Sequence, residues 1–184
     1  MKRAKLTPTG EATLGPFFPP RYVDEGANDL TSFEGRPAKG EAIEISGRVT
    51  QEDGAPLDNL VIEIWQADAR GIYRHPADAR HAEADPDFLG WGRAATDKDG
   101  RYRFRIVRPG APEGRAPHID FMIMYSGLMR ILKTTLFFEA SSDPVLSSVT
   151  QERQKLLIAK PQTPKRFVFD IRLRGENETP FFDD

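Results

Sequence analysis

The residues best suited to chemistry are His118 and Asp120, which begin an apolar run that continues through residues 121–124. Alternate residues of a strand share a face, so both side chains point the same way, as a His-x-Asp pair of metal ligands would. The common iron(II) triad adds a second histidine to such a pair. The chain has only two other histidines, His75 and His81, and both precede His118. A complete metal site within this chain is therefore not predicted.

Two interpretations of this pair stay open. In the first, His118 and Asp120 are structural, and the neighbouring Arg115 holds the carboxylate, because isolated His and Asp residues seldom indicate a metal. In the second, the pair binds a metal together with His75 or His81.

The composition excludes several classes of function. The chain of 184 residues has 26 basic and 28 acidic residues and no long run of one sign, which argues against a nucleic-acid groove or a membrane patch. Cysteine is absent, which excludes disulfides and thiolate sites and agrees with a reducing compartment. No segment approaches the ~20 apolar residues of a membrane span. We expect one soluble, cytoplasmic domain whose partners are small molecules or proteins.

The first 41 residues differ from the rest of the chain. Residues 1–41 are rich in proline and glycine and have no sustained periodicity, which predicts an irregular N-terminal arm that belongs to the same unit as the domain at 42–184. Apolar side chains in this arm, such as Phe18 and Tyr22, indicate that it packs against something. We expect the arm to be ordered against a partner chain.

Alternating apolar residues and turn signals predict an all-β fold, an antiparallel β-sandwich with one short helix at 145–157. The first two predicted strands are expected to be neighbours, and the third and fourth are expected to form a hairpin. Besides the strand that starts at His118, the predicted strands are residues 42–50, 60–66, 91–96, 101–107, 131–138 and 166–173.

Several segments together resemble the intradiol ring-cleaving dioxygenases, and specifically those built from homologous alpha and beta chains. The segments are GRVTQEDGAPLDNLVIEIWQADARGIYRH, DPDFLGWGR, TDKDGRYRF, RPG and RAPHI, within residues 47–138. The ends of the chain, TLGPF at 13–17 and GENETPFFD at 175–183, are similar to the alpha chain. The resemblance implies an enzyme subunit. The alternative is a transthyretin-like binding or scaffold module, because such sandwiches share some of these segments.

In this family a ferric ion, held by two tyrosinates and two histidines, activates a bound catecholate towards O2. Matched to those ligand positions, this chain has Arg80 for the first tyrosine, the short segment 111–114 for the second, His118 for one histidine and Asp120 for the other. The resemblance therefore implies that the partner beta chain binds Fe(III) and that Arg115 and these residues form a vestigial site without metal. Because a buried charge needs a partner, we expect Asp120 near Arg80 or Arg115, in a closed, dry site with His118 packed nearby.

The resemblance also implies how this chain takes part in catalysis. The family's pocket lies between the two chains, so the arm is expected to line the beta chain's pocket with Thr13, Gly15, Pro16 and Phe17. The resulting enzyme is expected to be a hetero-oligomer that uses O2 to open the ring of an acidic catechol between its hydroxylated carbons.

The sequence departs from the family at the residue that faces the charged group of the substrate. Where alpha chains have an arginine that faces the substrate carboxylate, this chain has Ser126. Arg130 and Lys133 follow closely, and we take Arg130 as the preferred charge partner. We expect protocatechuate (3,4-dihydroxybenzoate) to be a substrate and 4-sulfocatechol to be accepted, because a serine leaves more room for a tetrahedral sulfonate.

Overall fold

Alternating apolar residues build two facing β-sheets in the computed structural model, which describes Phe18 and residues 22–183. The strands are β1 (Ser32–Phe33), β2 (Arg36–Pro37), β3 (Ala42–Thr50), β4 (Val61–Trp65), β5 (Trp91–Ala95), β6 (Arg101–Val107), β7 (His118–Met124), β8 (Leu132–Phe137), β9 (Lys160–Thr163), β10 (Arg166–Val168) and β11 (Ile171–Arg172). Strands β1 and β2 form a separate two-residue hairpin.

The two large sheets differ in strand direction. The first is built around β3, which pairs antiparallel with β6 and parallel with β10 and β11, while β9 pairs with β10. The second has the order β5-β4-β7-β8, and all of its pairs are antiparallel. The predicted β-sandwich is confirmed, but its first sheet is mixed rather than purely antiparallel.

The core lies between the inner faces of these sheets. Phe104 of β6 and Phe121 of β7 are almost fully buried, and their ring centroids are 6.4 Å apart in an edge-to-face arrangement. Phe169 contacts Phe121 at 5.3 Å. Burial of each such side chain stabilises the fold by about 1.5–3 kcal/mol. The inner face of β7 is thereby fixed, and its outer face is left for His118 and Asp120.

The predicted hairpin of residues 91–96 and 101–107 is wrong. Strand β5 pairs with β4, and β6 pairs with β3 in the other sheet. The turn itself forms as predicted, since Gly100 N–H donates to Asp97 O at 2.8 Å. The strands then separate, because Thr96 Oγ1 is bonded to Leu57 and Leu60 beside β4, while Gly100 O accepts from Val49 of β3. A local turn signal does not specify which sheet each strand joins.

Two other predicted strand relationships also differ from the structure. Strands β3 and β4, predicted to be neighbours, lie in opposite sheets and face each other across the core. The predicted strand 166–173 is interrupted between β10 and β11, where the carbonyl of Phe169 turns towards Gly47 and accepts the Tyr102 hydroxyl. A Cβ atom at Gly47 would lie only 1.9 Å from that carbonyl oxygen, so the interruption requires glycine there.

The single predicted helix is instead two one-turn helices, α1 (Pro144–Ser147) and α2 (Gln151–Gln154), followed by a 3-10 turn at Lys155–Leu157. Asp143 caps α1 by accepting hydrogen bonds from the backbone of Val145 and Leu146. The break falls where serine, valine and threonine, which favour helices poorly, follow each other, and Thr150 is extended. None of the helices among the described residues is long and apolar enough to span a membrane.

Candidate functional site

His118 is the centre of the candidate site and lies at the start of β7, on the outer face of the second sheet. Its ring is buried, and its Nδ1 is 2.7 Å from the carbonyl oxygen of Ala116. Because a carbonyl only accepts, Nδ1 carries the proton and Nε2 of the neutral ring is an acceptor. That acceptor is 2.9 Å from the hydroxyl of Tyr73, which therefore donates to it. Both ring nitrogens of His118 thus have partners.

Tyr73 is the site residue that the sequence analysis missed. Burial and then the negative charge of Asp120 raise the pKa of Tyr73 far above its ordinary value, so the phenol stays protonated and acts as a donor at neutral pH. Tyr73 and His118 are 45 positions apart, so no local pattern joins them. The only available signal was its position in GIYRH, one of the segments that carry the family resemblance.

Asp120 points to the same side as His118, as the alternation predicts. Its Oδ2 is 3.7 Å from His118 Nε2, and its Oδ1 accepts from Thr135 Oγ1 at 2.8 Å. Burial acts to raise the pKa of Asp120, but when His118 is protonated its hydrogen bond and its charge, together with the Thr135 hydroxyl and the charge of Arg115, outweigh burial and lower the pKa. The side chain is 45% exposed, which lets water solvate an ionised carboxylate.

His118 lies beside Asp120 as expected, and Arg115 is close enough for its charge to act on Asp120, but neither Arg80 nor Arg115 forms an ion pair with Asp120 among the described residues. Arg115 Nε donates instead to Asp143 Oδ2 at 2.8 Å, and that carboxylate is completely buried. Arg80 Nη2 donates to a backbone carbonyl, and its Nε lies 3.7 Å from Asp78. Each arginine thus binds an acceptor other than Asp120. The charge of Arg115 acts to lower the pKa of Asp120 without an ion pair between them.

The expectation of a closed, dry site is wrong. A cavity of about 620 Å³ opens beside His118, and Trp65, Tyr73, Arg80 and Arg115 are among its lining residues. We call it the His118 cavity. A second cavity, of about 360 Å³, is lined by Asp120, Lys133 and Thr135 among others, and Trp65 lines both cavities.

The residues of the His118 cavity do not fit a ferric ion. Of the family's four ligand positions only His118 keeps the family's residue and only Asp120 adds a second donor, and His118 Nε2 already accepts from Tyr73. Arg80 places a cation in the same cavity, which opposes a second cation. Within the described part of the chain, no group of three His, Cys, Asp or Glu side chains is arranged to bind a metal. His75 lines the cavity, whereas His81 contacts the backbone of Asp78.

The arm residues predicted to contact substrate, Thr13, Gly15, Pro16 and Phe17, lie outside the described residues. The described residues next to them are held by the second sheet. Tyr22 stacks on Phe18 with ring centroids 5.0 Å apart, and Arg93 Cζ lies 3.9 Å from the Tyr22 ring centroid.

Arg93 joins the arm to the sheet. Its Nη1 donates to the carbonyl oxygen of Tyr22 at 2.6 Å, and its Nε and Nη2 both donate to Glu63 Oε1 on the neighbouring strand. The side chains of Arg93 and Glu63 are 17% and 14% exposed. We call Tyr22, Glu63 and Arg93 the arm clasp, because they fix the arm to this chain's own sheet.

The residues predicted to read the substrate's charge lie away from the His118 cavity. Ser126 is exposed in a turn closed by a hydrogen bond from Leu128 N to Tyr125 O. Arg130 Nη1 is 2.7 Å from Asp183 Oδ1, and both side chains are largely exposed. Lys133 lines the smaller cavity beside Asp120.

Comparison with known proteins decides the family. A family model described as Dioxygenase matches residues 14–175. The alpha chain of protocatechuate 3,4-dioxygenase from Burkholderia cepacia is 33% identical, and the match covers 100% of both chains. The chain belongs to the intradiol dioxygenase family. The beta chain from the same organism is 36% identical over 93% of this chain but only 77% of its own length.

Solved structures agree with this membership. The dioxygenase domain of a carbohydrate-binding fusion protein from Streptomyces sp. SirexAA-E superposes with a TM-score of 0.59, at 24% identity, over 92% of this chain and 99% of that domain. These structural matches concern the fold. The sequence matches confirm the resemblance to a dioxygenase subunit of the alpha type and disfavour a transthyretin-like module without enzymatic role.

Proposed function

We propose that this chain is the alpha subunit of a two-chain intradiol dioxygenase whose Fe(III) is bound by a homologous beta chain. The observation that carries the proposal is the His118 cavity. Arg80 stands there at one of the family's ligand positions, and the Tyr73 hydroxyl is hydrogen-bonded to His118, the one family ligand that this chain keeps. The full-length similarity to an alpha chain supports the same assignment. The residues of this chain then act on substrate from the subunit interface.

The arm is the part of this chain that we assign to the partner's pocket. Thr13, Gly15, Pro16 and Phe17 would line that pocket, and the arm clasp supports this role because it fixes the chain at Tyr22, a few residues later. Fixing one end of a segment reduces the conformational entropy that is lost when the segment contacts a ligand.

The proposed substrate is an acidic catechol, either protocatechuate or 4-sulfocatechol, which reacts with O2 and opens between its hydroxylated carbons. Protocatechuate would give 3-carboxy-cis,cis-muconate. Arg130 is the proposed charge partner, since its guanidinium is largely exposed and bound only to the equally exposed Asp183 among the described residues. An exposed ion pair contributes little free energy, so an acidic substrate could displace Asp183 at small cost.

Metal analysis tests the division of labour between the chains. This chain, purified alone and together with its beta chain, should contain iron only when the beta chain is present, because its own cavity offers guanidinium groups where ligands are needed. Stoichiometric iron in this chain alone would contradict the proposal.

The reconstituted enzyme can then be assayed on protocatechuate, 4-sulfocatechol and plain catechol, before and after Arg130→Ala. We expect kcat/KM for the two acidic substrates to fall about tenfold, with catechol unaffected, because one charge-assisted contact is lost. Arg103→Ala is the matched control, since Arg103 is similarly exposed but lies in the other sheet. An unchanged substrate preference in Arg130→Ala would exclude Arg130 as the charge partner.

A further inference from the structure

We propose that the His118 cavity is itself a binding site in this chain, and that its ligand is a small aromatic carboxylate held by Arg80 and Arg115. The proposed site consists of residues of this chain and needs no metal. It does not depend on the arm or on the proposed identity of the substrate.

Arg115 provides the first spare donors. A guanidinium has five N–H groups, and among the described residues only Nε of Arg115 has an acceptor, the carboxylate of Asp143. Nη2 is buried, whereas the side chain as a whole is 26% exposed and lines the cavity. Nη1 is accessible and has no acceptor among those residues, so it is the nitrogen that a ligand carboxylate can reach.

Arg80 provides the second. Its Nη2 donates to the carbonyl oxygen of Gly71 at 2.8 Å and its Nε is buried, while Nη1 is accessible and has no hydrogen-bond acceptor among the described residues. The nearest carboxylate, that of Asp78, is already bonded to the backbone N–H groups of Tyr73 and Arg80.

Each arginine already has one carboxylate beside its Nε, Asp78 at 3.7 Å from Arg80 and Asp143 at 2.8 Å from Arg115. These contacts leave the accessible Nη1 atoms without an acceptor among the described residues. A ligand carboxylate would bind there as a further acceptor, and its planar geometry matches a guanidinium.

The walls of the cavity favour an aromatic ring. Trp65 is 38% exposed, which is unusual for so large an apolar side chain, and Tyr73 lies in the same lining. A ring placed against these residues would gain stacking and apolar burial, while its carboxylate reached the arginines. The volume of about 620 Å³ lies within the range usual for small-molecule sites.

Fluorine NMR of 4-fluorobenzoate with the two-chain complex tests this site. The beta chain's pocket can also bind the probe, so the signal of interest is the bound resonance that responds to substitutions in this chain. We expect Arg80→Gln and Trp65→Leu to weaken that binding about tenfold or more. Arg103→Gln, which removes an exposed arginine of the other sheet, should leave it unchanged. The uncharged 4-fluorobenzamide should bind at least about tenfold more weakly than 4-fluorobenzoate.

Arg115→Lys is a second variant, which keeps a charge beside Asp143 but loses the planar guanidinium. It should also weaken binding while circular dichroism shows a folded chain. The proposal is overturned if no bound resonance responds to Arg80→Gln or Arg115→Lys. It is equally overturned if Arg103→Gln has the same effect, or if the benzamide binds as tightly as the benzoate.

Discussion

The arm clasp and the His118 cavity lie on the same sheet, and both contain arginine, carboxylate and aromatic side chains. In the arm clasp, Arg93 donates from three nitrogens, to Glu63 and to a backbone carbonyl, and lies against the Tyr22 ring. In the His118 cavity, Arg115 uses one nitrogen, and another is buried without an acceptor within the described part of the chain. In the arm clasp all three side-chain nitrogens of Arg93 have acceptors. In the open His118 cavity, two nitrogens of Arg115 have no acceptor among the described residues.

This difference distinguishes a structural cluster from a binding site. A buried ion pair is stable only when its remaining donors are also satisfied, and the arm clasp meets this condition. The His118 cavity does not, although Asp143 holds one of its arginines firmly. Accessible donors without a protein acceptor in an open cavity can bind a ligand carboxylate in exchange for water. The same residue types therefore serve stability in one region and recognition in the other.

The largest effect is expected for Asp143→Ala. Asp143 is completely buried and accepts from Arg115 and from the backbone N–H groups of Ala116, Val145 and Leu146. Its removal would leave a partly buried guanidinium and these N–H groups without acceptors. We expect the free energy of unfolding to fall by about 3 kcal/mol. Urea denaturation measures the loss. A cost below about 1 kcal/mol would show that Arg115 is not anchored there.

The pH dependence of stability tests the same carboxylate. Burial acts to raise the pKa of Asp143, but its bonds to Arg115 and the backbone outweigh burial and lower it. A lowered pKa in the folded state adds stability above the unfolded value, about 4, and this contribution is lost as the pH falls through the folded value. Asp143→Asn should therefore reduce the acid-induced loss of stability, and an identical pH profile would contradict this.

A smaller effect, about 2 kcal/mol, is expected for Arg93→Met in the arm clasp. The substitution leaves the largely buried Glu63 without its cation and removes the bond to Tyr22. The double variant Arg93→Met/Glu63→Leu should recover part of this loss, because both charges are then gone. Urea denaturation measures the free energy of unfolding of both variants. Arg103→Met, which breaks an exposed pair with Glu44, should cost at most about 0.5 kcal/mol.

The smallest effect is expected for Tyr73→Phe, about 1 kcal/mol or less. The variant removes the donor to His118, but water in the open cavity can replace the hydroxyl. Tyr125→Phe is the control, with an expected change within about 0.5 kcal/mol. A loss above about 2 kcal/mol for Tyr73→Phe would mean that the cavity is closed to water, and would remove the contrast with the arm clasp.

Much of the fold could be predicted from local pattern. The alternation in 42–50 and 101–107 located β3 and β6 because period-two burial depends only on neighbouring residues. The partners of the strands could not be predicted in the same way. The turn at 97–100 is compatible with either a hairpin or a crossing between sheets, and the bonds of Thr96 beside β4 decide for the crossing.

In the candidate site, too, some features follow from the sequence and others depend on tertiary contacts. The sequence by itself determined that His118 and Asp120 share a face, because this follows from the period of a strand. The resemblance to the family, and not residue type or strand period, placed cationic Arg80 at a ligand position. Only the tertiary structure decided that Arg115 binds Asp143, 28 positions away, and that Tyr73 binds His118, 45 positions away. Those contacts depend on how the loops pack around the sheet. They leave open a cavity that residue types alone had indicated to be closed.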